Sequence, residues 1–244
     1  MKIRYELDTA WQNYDSYLED LATRPEVKKI CEIGGGANPS LPLDFIQRHR
    51  LEYTILDFSA EELGKAPDEY RKIQADITSL NLSLDQGYDL IFSKMLAEHV
   101  QSGHDFHVNV LRLLREGGYA FHFFPTLYAL PFVINFLIPD QLTEHILLFL
   151  QPSRTKTGKH SKFKAYYSWC RGPLKRQIMR FERLGYSVEE YVGFYGHSGY
   201  YKKIKPLHAL HLIKSSLLTK YPIPLLTSYA YVLLRKKPGR VNSG

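Results

Sequence analysis

The run Lys28-Lys29-Ile30-Cys31-Glu32-Ile33-Gly34-Gly35-Gly36-Ala37-Asn38-Pro39-Ser40 constrains this chain more than any other stretch. Ile30, Cys31 and Ile33 read as a short buried strand that runs into three consecutive glycines. Glycines at such a turn permit positive φ and let a ligand approach the backbone closely. Asn38 and Pro39 suit the cap and first turn of a following helix, where the missing proline N–H costs nothing. The unpaired N–H groups of that helix start would face an electronegative group. Glu52-Tyr53-Thr54-Ile55-Leu56-Asp57-Phe58-Ser59 reads as the next strand. It ends in an acid about 20 residues after the glycines, where a nucleoside site places the carboxylate that holds its ribose.

Downstream, the pattern alternates: helix 39–48, strand 52–57, helix 59–65, strand 71–75, strand 88–93, helix 103–115 and strand 118–124. Such alternation predicts an α/β fold, a mostly parallel sheet with helices on both faces. Gly34, Asp57, Asp76 and Ser93 all fall at strand ends, where ligands of such sheets bind. Ahead of the glycines, Leu7, Trp11, Tyr14, Leu18 and Leu21 share one face of a helix over 6–23. Further on, Gly172-Pro173 opens a helix to Leu184, Ser187–Phe194 reads as a strand, and Ser228–Arg235 as the last one. The expectation is one domain over 1–244, with its core at 28–124. Residues 125–171 and 195–227 are too long for plain connections and read as insertions that cap a pocket.

Composition bounds the rest. Cys31 and Cys170 form no CxxC pair and no disulfide framework, which fits a reducing, cytoplasmic setting. The start, Met1 to Glu6, carries a charge at every second residue and is no secretory signal. The net charge of +7 hides an asymmetry. Residues 1–100 hold 11 Lys/Arg against 18 Asp/Glu, and residues 101–244 hold 21 against 7. The stretch 151–180, with Arg154, Lys156, Lys159 and Lys162 among its nine basic residues, holds no acid. An anionic partner belongs there.

Glu32-Ile33-Gly34-Gly35-Gly36 resembles the E-x-G-x-G signature of class I S-adenosylmethionine-dependent methyltransferases. Asp57 matches their ribose-binding acid, and Ala75-Asp76-Ile77 the acid on the adenine side after the third strand. Tyr88-Asp89-Leu90-Ile91-Phe92-Ser93, followed by Glu98-His99-Val100, resembles their fourth strand. Leu111 to Gly118 resembles the helix and Gly-Gly turn before their fifth. A nicotinamide-binding domain, the natural rival, wants a third glycine where this chain has Pro39. The resemblance implies a Rossmann-like class I methyltransferase fold with cap insertions and S-adenosylmethionine as cofactor. It implies cofactor contacts from Glu32, Gly34, Gly35, Gly36, Asn38, Asp57, Phe58, Ser59, Asp76, Ile77 and Ser93. The N-terminal helix would dock on the body of the domain or, as the resemblance also allows, close over the site with Trp11 and Tyr14.

Methyl transfer is an in-line displacement, so alignment matters more than a nucleophilic enzyme group. A hydroxyl acceptor benefits from a base near neutrality, for which histidine is suited. Three of the ten histidines are candidates: His197 within the aromatic cluster Tyr191–Tyr201, His99 after the fourth strand, and His122 in the fifth. His104/His107 and His208/His211 lack a third ligand nearby, so no metal is expected. Ser93-Lys94-Met95-Leu96 lacks the Asn/Asp-Pro-Pro-aromatic motif of enzymes that methylate base or glutamine amides. The expected acceptor is a small molecule, natural product or glycan methylated at oxygen, and anionic or lipid-linked acceptors suit the basic stretch. Peripheral membrane contact suits it too, whereas nucleic acid is not the expected partner. Two alternatives stand beside this reading: an RNA methyltransferase, and a non-catalytic cofactor-binding scaffold at a membrane surface.

Overall fold

The computed structural model describes residues 1–127, 164–196 and 205–239. Its framework is one eight-stranded sheet. The strands are β1 (Lys2–Glu6), β2 (Lys29–Ile33), β3 (Glu52–Asp57), β4 (Arg71–Gln74), β5 (Tyr88–Lys94), β6 (Leu114–Pro125), β7 (Tyr186–Phe194) and β8 (Tyr229–Lys236). They lie in the order β1-β7-β8-β6-β5-β2-β3-β4. Every neighbouring pair is parallel except those of β8, which runs antiparallel to both β6 and β7. From β2 the chain steps outward to β3 and β4, then crosses back to β5 on the other side of β2. That reversal makes the carboxyl ends of β2 and β5 a switch point, where the connections diverge and leave a crevice.

The helices are α1 (Ala10–Ala22), α2 (Leu43–His49), α3 (Ala60–Lys65), α4 (Gly103–Leu113), α5 (Lys175–Leu184) and α6 (Lys205–Lys220), with single 3₁₀ turns at Ala97–His99 and Pro224–Leu226. The strands under them are apolar on both faces, as a covered parallel sheet requires: Tyr88 to Ser93 of β5 are all buried. On α1, Ala10, Tyr14, Leu18, Leu21 and Ala22 are the buried residues, at helical spacing. Tyr14 stacks on Phe121 at 5.7 Å and Tyr17 on the same ring at 4.9 Å, which seats α1 against β6.

One element escaped the sequence reading, and one boundary is corrected. The alternating charges of Lys2–Glu6, assigned to no element from the sequence, form an edge strand parallel to β7. Charged residues suit an edge, where they discourage further pairing. Glu190 fixes β1 there, accepting from Arg4 Nε at 2.8 Å and from the Tyr17 hydroxyl. Burial alone would raise the Glu190 carboxyl, but the Arg4 and Tyr17 hydrogen bonds prevail and hold it below its ordinary range.

The helix after the glycines starts later than Asn38-Pro39 suggests: α2 begins at Leu43, capped by Pro42. The cause is Glu32. Its carboxylate captures the Ser40 N–H at 3.0 Å and the Ser40 hydroxyl, so the backbone at Ser40 is held in a loop rather than a helical turn. Asn38 instead closes a turn, its N–H donating to the Gly35 carbonyl at 2.9 Å.

Candidate active site

A crevice of about 280 Å³ opens at the carboxyl ends of β2, β3, β4 and β5. β2 contributes Ile33 and Gly34, and β3 contributes Leu56, Asp57 and Phe58. The turn after β4 adds Asp76, Ile77 and Thr78; the segment after β5 adds Leu96, His99 and Val100; Tyr166 reaches it from further along the chain.

The glycines divide their work. Gly34 has φ +79° and donates its N–H to the Leu56 carbonyl at 2.7 Å. A Cβ there would stand 2.5 Å from Leu96 Cδ1, so the residue is set by its backbone and by a crevice wall together. A Cβ on Gly35 would meet the Glu32 carboxylate at 2.8 Å. Gly36, with φ +40°, would bring one within 3.2 Å of Asp57 Oδ2. Only glycine therefore leaves the Asp57 carboxylate open beside the turn.

Asp57 accepts from the Ser59 N–H at 2.9 Å, while Ser59 caps α3 by accepting from the Glu62 N–H at 3.2 Å. Burial pushes the Asp57 carboxyl above its ordinary range, and the backbone N–H groups of Ser59, Phe58 and Gly36 draw it back. Asp76 accepts both the N–H and the hydroxyl of Thr78 on Oδ1, at 2.8 and 2.7 Å. Its second oxygen has no hydrogen bond among the described residues and remains for a ligand. An exposed ring, Phe58, stands at the rim between the two acids. An adenosine-like group fits this arrangement: two acids with acceptor oxygens, a tight glycine cradle, and apolar walls.

The other residues expected at the site divide into two groups. Glu32 is buried and spent on Ser40 and the Tyr53 hydroxyl, so it braces the glycine loop from beneath. Asn38 is exposed on the loop and does not line the crevice. The Ser93 hydroxyl lies 2.8 Å from His122 Nδ1, and both side chains are fully buried. His122 packs against Phe106 at 5.1 Å and His107 at 5.2 Å, and burial pushes its imidazole down to about 3, so it is neutral. Neither it nor Ser93 lines the crevice. Trp11 packs edge-on to Phe123 at 5.0 Å, and Tyr14 is sealed under the Lys94 ammonium at 4.2 Å; neither ring lines the crevice. His197 lies outside the described residues, as do Arg154, Lys156, Lys159 and Lys162.

Among the described residues, His99 is the histidine that the fold brings to the crevice. Its Nδ1 lies 3.2 Å from the Lys164 carbonyl. A carbonyl only accepts, so that contact places the proton on Nδ1 and leaves Nε2 with its lone pair. Burial lowers the His99 pKa, and the Lys164 contact partly opposes this. Glu98 precedes it, with Oε1 3.7 Å from His99 Nε2 and Oε2 buried without a hydrogen bond. Burial pushes the Glu98 carboxyl up to about 8. The Glu98 carbonyl accepts the Tyr166 and Tyr167 N–H groups at 2.7 and 3.0 Å, which docks this later segment and delivers Tyr166 to the crevice.

Sequence reading missed Leu96, Thr78 and Tyr166. Thr78 was foreshadowed by Asp76, whose side chain folds back two residues on, as aspartate does in turns. Tyr166 carried no signal of its own, being set in a basic stretch. Among the described residues, no three of His, Cys, Asp and Glu converge as a metal site would need. The described aromatic residues near residue 195 are core: Tyr191 donates to the Arg171 carbonyl at 2.6 Å, and Tyr195 stacks on Tyr5 at 5.8 Å.

Residues 32–122 match the family model of a methyltransferase domain. No curated protein sequence gives a significant match. The fold is similar to that of a putative sarcosine dimethylglycine methyltransferase from Galdieria sulphuraria, with a TM-score of 0.55 at 12% identity, covering 93% of this chain and 84% of that one. It is similar to geranyl diphosphate C-methyltransferase from Streptomyces coelicolor A3(2), with a TM-score of 0.55 at 12% identity over 93% and 79% of the two chains. A phosphoethanolamine N-methyltransferase of Haemonchus contortus, solved with S-adenosylhomocysteine, gives a TM-score of 0.56 at 10% identity, covering 93% of this chain and 53% of that one. The family match runs from the end of β2 into β6, across the strands that build the crevice, so this part of the chain is similar to a methyltransferase domain and its fold to that of the methyltransferases just named.

Proposed function

We propose that the crevice holds S-adenosylmethionine and that the chain methylates an oxygen of a small-molecule acceptor of natural-product or glycan type, with His99 as base. In this reading Asp57 takes the ribose hydroxyls, Asp76 and Ile77 flank the adenine, and Gly34 and Gly36 let the ligand lie against the backbone. When bound, the cofactor supplies an electrophilic methyl group on a sulfonium. Leu96, Val100 and Tyr166 wall the crevice and exclude water around the reacting groups. The His99 Nε2 lone pair takes the proton of the acceptor hydroxyl, and the Lys164 carbonyl holds the imidazole by Nδ1.

The observation that carries the reading is the contact of His99 Nδ1 with the Lys164 carbonyl, which favours a proton on Nδ1 and supports the one described crevice histidine as a base. The methyltransferases of similar fold are named for small-molecule substrates, which supports the acceptor class. Two of these, the phosphoethanolamine and geranyl diphosphate enzymes, name phosphorylated compounds. Replacing His99 with Gln keeps the size and removes the base. With a panel of hydroxyl and amine acceptors and labelled S-adenosylmethionine, His99→Gln should lower turnover on the accepted hydroxyl about 10²- to 10⁴-fold. Its affinity for S-adenosylhomocysteine should not change. Unchanged turnover, or a parent enzyme that methylates only amines, would remove His99 and oxygen from the reading.

A further inference from the structure

Helix α6 wears its apolar residues on the outside. Its buried side chains are His211, Ser215 and Leu218, while Leu210, Ile213 and Leu217 are 62%, 60% and 55% exposed. A surface helix normally does the reverse. Spaced by three and four residues, these three side chains form one stripe. Tyr221 continues it, and the exposed Ile223, Leu225 and Leu226 of the following turn widen it. Single exposed leucines are ordinary, but a contiguous apolar row marks an interaction surface.

Charge identifies what covers it. No Asp or Glu follows Glu190, whereas residues 191–244 hold nine Lys and Arg. Lys205, Lys214 and Lys220 belong to α6 itself. A second copy meeting this helix across a two-fold axis would set lysines against lysines, with no acid on the helix itself to relieve them. An anionic lipid surface offers the opposite: apolar depth for the stripe, and phosphate for the lysines, whose long stems let the ammonium reach the headgroups. With 16 residues, α6 would lie along such a surface, and no helix among the described residues is long and apolar enough to cross a bilayer.

The helix also sits where this would matter. The Ser215 hydroxyl donates to the Tyr195 carbonyl at 3.1 Å, tying α6 to the carboxyl end of β7. Because β8 is antiparallel to both β6 and β7, β7 runs the same way as β6, β5 and β2. Its carboxyl end is therefore on the edge of the sheet at which the crevice opens.

We propose that α6 and the turn after it, residues 205–226, dock on an anionic bilayer, with Leu210, Ile213 and Leu217 below the headgroups and Lys205, Lys214 and Lys220 among them. The docking itself does not depend on the proposed acceptor. The test uses the full chain and vesicles of phosphatidylcholine with or without phosphatidylglycerol, read by co-sedimentation. The parent should bind only the phosphatidylglycerol vesicles and be released as salt rises. Leu210→Glu, Ile213→Glu and Leu217→Glu together should weaken this at least tenfold, with the melting temperature and S-adenosylhomocysteine affinity unchanged. Lys205→Gln, Lys214→Gln and Lys220→Gln together should flatten the salt dependence. A parent that binds neither vesicle would overturn the proposal. So would a parent dimer that the glutamate variant turns into a monomer, or a lowered melting temperature in that variant, which would mean that the stripe is packed inside the fold. Lipid binding in the parent that is indifferent to the lysine changes would overturn it equally. Cofactor affinity in the parent, measured alongside, separates these outcomes from failure of the methyltransferase reading.

Discussion

Glu98, in the 3₁₀ turn after β5, and His122, within β6, are both buried, yet burial pushes them in opposite directions along the pH scale. A buried carboxyl resists ionisation, so the folded state of Glu98 keeps its proton up to about pH 8. The unfolded chain gives it up near its ordinary value of 4.5. Stability from Glu98 is therefore full below that value and is lost as pH rises toward 8, by at most about 1.4 kcal/mol per pH unit. A buried imidazole resists protonation, and His107 and His122 are both held below the ordinary 6.5. Their contribution is present above 6.5 and is lost as pH falls below it. Melting temperature should thus peak near neutrality, and Glu98→Gln should remove the decline on the alkaline side while leaving the acid side in place. An alkaline decline that persists in Glu98→Gln would show that the carboxyl ionises normally. Neither group was legible as perturbed in the sequence, because burial is a property of the packed chain. The place of Asp57 was legible, because the apolar run of β3 ends at it, beside the glycine turn.

At the scale of elements, the strands were read correctly wherever an apolar run had a sharp end, as in β3 and β5. β1 was missed because its alternate charges mask a pairing that only β7, more than 180 residues on, reveals. The start of α2 was misplaced for a related reason: Ser40 is taken by Glu32, a side-chain hydrogen bond that competes with the helix. The glycine turn itself was legible, but part of its cause was not. Gly34 leaves room for Leu96 as well as for a ligand. Gly34→Val should therefore lower both cofactor affinity and melting temperature, since a β-branched residue meets a wall and a positive φ together. Leu96→Ala added to it should recover part of the melting temperature, leaving the φ strain. If Gly34→Val lost affinity with no change in melting, the Leu96 contact would be slack and the ligand alone would require this glycine.

Taken whole, the molecule divides its charge by task. The acidic first hundred residues build the crevice, and the acid-free C-terminal stretch carries α6. Glu190 joins the two ends, holding Arg4 and Tyr17 against β7 and so fixing the N-terminal strand and helix to the sheet. The strands from 28 to 124 were legible because their signals are local turns at strand ends. The places of Tyr166 and α6 were not, because both are reached through long-range docking at Glu98 and at the end of β7. The central claim is that Asp57 and the glycine turn form a nucleoside site. Calorimetric titration of S-adenosylhomocysteine into the parent and Asp57→Ala tests it most directly. The parent should bind one equivalent, and Asp57→Ala should bind at least tenfold more weakly at an unchanged melting temperature, having lost charge-assisted bonds worth about 1.5–3 kcal/mol each. Equal affinity in the two proteins, or no binding by the parent, would contradict it.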